Sequence, residues 1–280
     1  MKKLVVEGLK YRYPGAQELA LKDISFEVET GEFIGIIGRN LSGKSTLCQA
    51  LVGLVPHFYH GAYGGKVIVD GLEVKNHTIS EISRKVGIVF QNPFTQVTGS
   101  KLSVLEEVAF GLENMGVPRR EMLERIDDAL QLMGLEESKD RNPFDLSGGQ
   151  MQRMAIAGII AMKPQMIVLD EPTSQLDPQG SEEVFQAVQS LSREGMTVIL
   201  TEHKPEKIAR FADKVLLLDD GRVVDFDTPA QVFSREDLAE YGVEAPIYTK
   251  VCRQLNLRRV DSGLFPITLE EAREVLEKWR

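Results

Sequence analysis

Gly38-Arg39-Asn40-Leu41-Ser42-Gly43-Lys44-Ser45 is the stretch that decides the fold. It follows the apolar run Phe33-Ile34-Gly35-Ile36-Ile37 and opens a helix-like run from Ser45 to Leu51. Strand, glycine-bounded loop and helix start form the context of a phosphate-binding loop. Backbone N–H groups in such a loop point inward as an anion nest. The helix N-terminus adds unpaired donors and the positive end of its dipole. Lys44 can reach the β- and γ-phosphates of a nucleotide, the Ser45 hydroxyl can ligate Mg²⁺, and Gly38 through Gly43 with Thr46 complete the expected contacts. Leu41 stands where many such loops carry glycine. A bulky residue resists a positive φ, so either Leu41 keeps an allowed conformation or nucleotide affinity suffers.

Working outward, strand-like and helix-like runs alternate. Residues 3–13 and 20–29 read as strands around the turn Tyr13-Pro14-Gly15. Gly53 closes the helix after the loop, and Pro56-His57-Phe58-Tyr59-His60-Gly61 reads as a loop rather than a metal site, because His57 and His60 lack a third ligand nearby. Lys66–Val69 and Val86–Phe90 read as further strands, the second ending at Gln91. Apolar residues at helical spacing place helices at about 104–115 and 119–133, broken by Gly116 and Pro118. Ser147 sits where an N-cap belongs for a helix running to about Met162.

Gln165–Glu171 is then an apolar strand ending in two carboxylates, Asp170 and Glu171. A helix at 179–194, a strand at 198–201, a helix at 204–211 and a strand at 215–218 follow, with Gly221 turning the last hairpin. This alternation predicts a parallel sheet. Strand ends on one side of such a sheet converge on the ligand, so Asp170 can hold Mg²⁺ and Glu171 can polarise an attacking water beside the phosphate loop. From about 236 the pattern becomes irregular until Thr268-Leu269-Glu270-Glu271, a capping box that opens a last helix with Leu269, Ala272, Leu276 and Trp279.

Composition bounds the function. The 280 residues carry 42% apolar residues and a net charge of −9, which argues against nucleic acid as the main partner. Cys48 and Cys252 form no disulfide framework, pointing to a reducing compartment, and Cys48 reads as a buried small residue. The apolar part of the N-terminus is too short for a signal peptide. The longest apolar run, Ala155 to Met162, falls far short of the ~18 residues of a membrane span. If the protein serves a membrane process, other chains must supply the spans.

The phosphate loop, Leu146-Ser147-Gly148-Gly149-Gln150 and Leu169-Asp170-Glu171-Pro172, in that order, resemble the ATP-binding cassette (ABC) family over about residues 1–235. The resemblance implies an α/β P-loop NTPase cassette: a parallel-sheet core, an N-terminal antiparallel β subdomain, a helical signature subdomain at about 92–162 and a C-terminal extension at 236–280. It implies that Tyr13 stacks on adenine, with Tyr11 as second choice. Gln91 would touch Mg²⁺ and water and sense a membrane subunit. Ser174-Gln175-Leu176-Asp177 is similar to the loop joining two active sites, usually Ser-Ala-Leu-Asp. His203 resembles the switch histidine at the γ-phosphate. Ser147, Gly148, Gly149 and Gln150 of one cassette would close over ATP held by another, so a second cassette is an expected partner.

A narrower resemblance rests on Pro56–Gly61, Phe90-Gln91-Asn92-Pro93 with Gln96, Glu107–Gly111, Thr201-Glu202-His203-Lys204 and the extension with Pro266–Glu271. These look like the ATPase subunits of energy-coupling factor (ECF) transporters. That implies Mg-ATP hydrolysis coupled to import of a vitamin or transition-metal ion. It also implies a transmembrane coupling subunit, a substrate-binding membrane subunit and a place on the cytoplasmic face of the cell membrane. An ATPase subunit of another ABC transporter, or a soluble ABC ATPase in cofactor assembly, are the alternatives.

Overall fold

The structure, a computed structural model, describes residues 1–279; Arg280 and the side chain of Trp279 lie outside the described set. The chain opens with β1 (Lys2–Arg12), β2 (Leu21–Glu29) and β3 (Phe33–Ile37). Then come α1 (Lys44–Leu51), α2 (Leu54–His57), β4 (Ala62–Val69), β5 (Leu72–Glu73), α3 (Ile79–Ser83) and β6 (Val86–Val89). Helices α4 (Val104–Asn114), α5 (Arg119–Leu132) and α6 (Gly148–Ala161) follow in succession. The chain returns through β7 (Met166–Asp170), α7 (Pro178–Arg193), β8 (Thr197–Thr201), α8 (Pro205–Phe211), β9 (Lys214–Asp219), β10 (Arg222–Asp227) and α9 (Pro229–Phe233). It ends with α10 (Ile247–Gln254) and α11 (Leu269–Trp279).

Two sheets result. The first has the order β2-β1-β4-β5 with antiparallel pairing throughout. Alternation of buried and exposed residues along β2 shows why: one face meets the core and the other meets water. The second has the order β10-β9-β3-β8-β7-β6, parallel from β9 to β6 and closed at one edge by the antiparallel β10. Strands β3, β7 and β8 are buried at every residue, as parallel strands covered on both faces must be. Close helix approach explains a glycine in β6: a Cβ on Gly87 would lie 2.2 Å from Ile159 Cγ2 of α6.

The expected α/β cassette with an antiparallel subdomain and a helical layer is therefore present, with small shifts at element ends. The helix after the phosphate loop starts at Lys44 rather than Ser45. The expected loop at 56–61 begins inside the short helix α2. Helices α4 and α5 both pack on α6, and α6 joins the main core with β7 and α7.

The C-terminal segment is less separate than its irregular sequence implies. Cys252, Leu257, Phe265 and Ala272 form a small core of their own, yet Leu238, Ala245 and Ile267 belong to the main one. At α11 the Thr268 hydroxyl accepts from the Glu271 N–H (3.3 Å). The Glu271 carboxylate reaches the N–H of Ile267 (2.8 Å), one residue earlier than a regular capping box.

Candidate active site

β3 lies between β9 and β8, so the loop after it emerges in mid-sheet at the carboxyl ends of the parallel strands. Both bounding glycines are required by geometry. Gly38 has φ 151° and a Cβ there would lie 2.1 Å from the Leu218 carbonyl oxygen; Gly43 has φ 105° and a Cβ would lie 2.9 Å from that of Ala20. Gly43 is also the N-cap of α1 and supplies no side-chain acceptor, so the first-turn N–H groups stay available to an anion. The Ser42 hydroxyl is buried beside them without a hydrogen-bond partner. An orphaned buried hydroxyl in a nest of N–H groups is what a phosphate oxygen satisfies.

Leu41 takes the strained alternative. Its φ is 65°, in the left-handed region, and its side chain is 102% exposed, touching nothing that would offset the strain. Lys44 is buried, with Nζ donating to the carbonyls of Gly38 (2.9 Å) and Arg39 (3.0 Å). An ammonium has three donors, so one remains for phosphate. Burial pushes its pKa down, and the nearby carboxylates of Glu171 and Asp170 push it back up. Arg39 turns away, paired through two nitrogens with Asp219 (2.5 and 2.8 Å).

The two tyrosines separate. Tyr11 is fully buried, its hydroxyl donating to the carbonyls of Tyr59 (2.8 Å) and His60 (2.6 Å), so the second choice for the adenine face is a core residue. Tyr13 is half-buried against α1, with its hydroxyl 3.1 Å from Thr46 Oγ1 and donating to Gln49 Oε1 (2.9 Å). Its ring meets Tyr11 edge-on at 4.8 Å. His57 Nε2 lies 2.8 Å from the Val74 carbonyl oxygen.

At the end of β7 the buried Asp170 accepts from the Thr201 hydroxyl of β8 (2.8 Å), its register partner. Burial raises its pKa, while the Thr201 and Ser45 hydroxyls oppose that rise. Glu171 has φ 49°, and its N–H is held by the same Thr201 oxygen (2.8 Å). Its carboxylate is gripped from two sides: Gln91 Nε2 donates to Oε2 (2.7 Å), and His203 Nε2 lies 2.7 Å from Oε1. Residues from positions 91, 171 and 203 thus meet through one carboxylate. A carboxylate fixed this way beside a phosphate loop can orient and polarise a water.

Among the described residues no three His, Cys, Asp or Glu are grouped to hold a metal. The donors at Ser45, Asp170 and Gln91 are all oxygens, hard ligands that suit Mg²⁺, an ion that usually takes one or two carboxylates and completes its shell with waters and substrate phosphates. The residues therefore fit that ion.

The Ser147–Gln150 run caps α6. The Ser147 hydroxyl accepts from the Gln150 N–H (3.3 Å), and the Gln150 side chain accepts from the Ser147 N–H (3.0 Å). No hydrogen bond of these residues reaches the chain's own phosphate loop among the described residues. A Cβ on Gly149 would instead meet Leu176 Cδ2 at 3.6 Å, in the Ser174–Asp177 loop.

Three neighbours of the site received no role from the sequence: Thr201 and Glu202, which entered only as part of the Thr201–Lys204 motif, and Thr173. Thr201 looks like one more β-branched strand residue. Its dual role was findable only from the register that sets it opposite Asp170.

An ATPase cassette is the class that this fold and site define. The ABC transporter family matches residues 21–174, and the chain belongs to it. The chain is 45% identical over 281 residues to a putative ABC transporter ATP-binding protein of Pyrococcus horikoshii, covering 100% of this chain and 98% of the relative. It is 45% identical over 248 residues to the energy-coupling factor transporter ATP-binding protein EcfA1 of Lacticaseibacillus paracasei, covering 88% and 86%. Among solved structures it is similar to cbiO1 of Clostridium perfringens, described as part of the ABC transporter complex cbiONQ. That likeness has a TM-score of 0.76 and 33% identity, over 91% of this chain and 96% of the other. The chain is thus an ATP-binding, ATP-hydrolysing subunit of the ABC type.

Proposed function

We propose that this chain powers an ECF-type importer. Mg-ATP binding and hydrolysis would drive uptake of a vitamin or transition-metal ion through a separate coupling subunit and a substrate-binding membrane subunit, with the ATPase on the cytoplasmic membrane face. The observation that carries the catalytic part is the Glu171 carboxylate held between Gln91 and His203. In this reading Glu171 polarises the attacking water, His203 contacts the γ-phosphate, Lys44 balances its charge, and Tyr13 offers its ring to adenine. The residues Gly38, Arg39, Asn40, Leu41, Ser42, Gly43, Ser45 and Thr46 cradle the phosphates. Ser45, Asp170 and Gln91 would hold Mg²⁺, which neutralises phosphate charge when bound.

The signature residues Ser147, Gly148, Gly149 and Gln150 serve the nucleotide of a second cassette. That none of their hydrogen bonds among the described residues reaches their own phosphate loop supports this. A groove of about 180 Å³ between α4 and α6, lined by Gln96, Phe110, Gly111, Met154, Gly158 and Met162, supports a docking place for the coupling subunit. No helix among the described residues is long and apolar enough to cross a membrane, so the spans would come from those partners. Residues 236–280 would help hold two cassettes together: α10 and its C-cap present Ile247, Val251 and Leu255, exposed by 50%, 43% and 45%, one turn apart on one stripe. Val251→Glu should weaken that pairing while sparing the fold, whereas deleting 236–280 would also strip Leu238, Ala245 and Ile267 from the main core.

The test is affinity copurification from native membranes in mild detergent. The ECF reading expects a multi-span coupling protein, a second cassette and a small hydrophobic membrane protein whose ligand names the cargo. Recovery of two permease copies would replace it with another ABC transporter. Recovery of soluble partners alone would overturn the transport assignment.

A further inference from the structure

Glu202 follows β8 directly, precedes His203, and is only 4% exposed. A carboxyl group at such a position costs several kcal/mol of lost hydration unless donors replace the water. Two donors do. The His203 N–H donates to Oε1 (2.9 Å), and the Thr173 hydroxyl donates to Oε2 (2.5 Å). Among the described residues no lysine or arginine pairs with it; Lys204 Nζ instead donates to Thr173 Oγ1 (3.4 Å) and Ser181 Oγ (3.2 Å). Thr173 is fully buried and immediately precedes the Ser174–Asp177 loop. The Glu202 N–H is itself tied to the Ile36 carbonyl of β3 (3.4 Å).

We infer that Glu202 is a positioning residue that makes His203 and the Ser174–Asp177 loop move as one piece. One carboxylate holds the backbone of the histidine that touches Glu171. The same carboxylate holds the root of the loop that packs on the signature residue Gly149. An apolar residue would fill this place at the strand end with no desolvation penalty, so packing alone does not explain the carboxyl group. Because both contacts act on backbone or loop placement, the role is to aim His203, not to touch the nucleotide.

The inference rests on the proposed role of His203 at the γ-phosphate, and the experiment separates the two. Steady-state ATP turnover and nucleotide affinity are measured with Mg-ATP on the full-length chain in the assembly recovered from its membranes. Glu202→Ala should lower kcat by ~10-fold or more while leaving nucleotide Kd within ~2-fold, the pattern of a lost transition-state arrangement. Glu202→Gln should recover most of the rate, because its amide oxygen can still accept from His203 and its NH₂ can donate to Thr173 Oγ1. Thr173→Val should resemble Glu202→Ala, and the double variant should be no worse than the worse single one.

A kcat within ~2-fold of wild type in a folded Glu202→Ala protein would overturn the inference, as would equal losses in kcat and affinity that track a fall in Tm. If Glu202→Ala does not fold, Thr173→Val decides by the same criteria. His203→Ala serves as the parallel control. Unchanged turnover there refutes the reading of the site itself, whereas unchanged turnover in the Glu202 and Thr173 variants alone refutes only the positioning role.

Discussion

Replacing Thr201 with valine removes one oxygen and keeps the shape of a fully buried side chain. That oxygen donates to Asp170 Oδ1 (2.8 Å) and accepts from the N–H of Glu171 (2.8 Å). The first is a hydrogen bond to a carboxylate, worth about 1.5–3 kcal/mol, and an N–H left without an acceptor costs about 1–3 kcal/mol. A single hydroxyl makes both, so the losses overlap, and about 3 kcal/mol is the expected cost of Thr201→Val. For 280 residues the unfolding entropy is about 0.6 kcal/mol/K, so Tm should fall by about 5 °C.

Activity should fall as well. Glu171 keeps its left-handed backbone partly through that N–H, and a freed Glu171 loses its fixed approach to Gln91 and His203. Thr201→Ser, which retains the oxygen, should recover most of both losses. The assay is differential scanning calorimetry beside ATP turnover. A valine variant that melts within 1 °C of wild type and hydrolyses ATP at the same rate (a shift well below the ~5 °C expected) would refute the reasoning.

Glu171→Gln should leave nucleotide binding intact and reduce turnover by about 10²–10⁴-fold, checked by equilibrium binding and steady-state hydrolysis. Leu41→Gly relieves a left-handed residue of about 1–2 kcal/mol of strain against about 0.5–1 kcal/mol of added chain entropy, so chemical denaturation should show equal or higher stability. Asp70 accepts from Lys3 (2.6 Å) and Lys85 (2.7 Å), and these two hydrogen bonds hold its carboxyl below the ordinary pKa. A depressed folded pKa gives stability that is present above the unfolded value of about 3.9 and is lost as pH falls through the folded value. Asp70→Asn leaves Lys3, 5% exposed, without its carboxylate and should cost about 3 kcal/mol at neutral pH. The gap to wild type should narrow as pH falls below the unfolded value of about 3.9 and close once pH has passed the lower folded value, read from urea midpoints across pH.

Much of this protein was legible because its signals are local. The glycines at 38 and 43 bound a loop that only glycine can make, and Ser147 with Gln150 forms its cap within one turn. Continuous apolar runs marked β3, β7 and β8, because strands buried on both faces need no polar alternation. The same local reading left Tyr11 and Tyr13 as alternatives for one role. Strand alternation places neighbours i and i+2 on one face, and only packing shows that Tyr11 is sealed in the core. Likewise the irregular stretch after 236 read as an appendage, while Leu238, Ala245 and Ile267 lie in the main core.

The sequence by itself determined the class of chemistry: a phosphate loop, paired carboxylates and a signature run are short-range patterns whose spacing carries the physics. Tertiary structure alone decided which groups meet. Gln91, Glu171 and His203 are brought together by the order of β6, β7 and β8 in the sheet. Thr201 reaches Asp170 through strand register, and Glu202 finds one of its two donors, Thr173, on another loop. Hydrogen bonds and desolvation act over a few ångströms, and sequence separation says nothing about which distant residues come that close until the sheet has set their order.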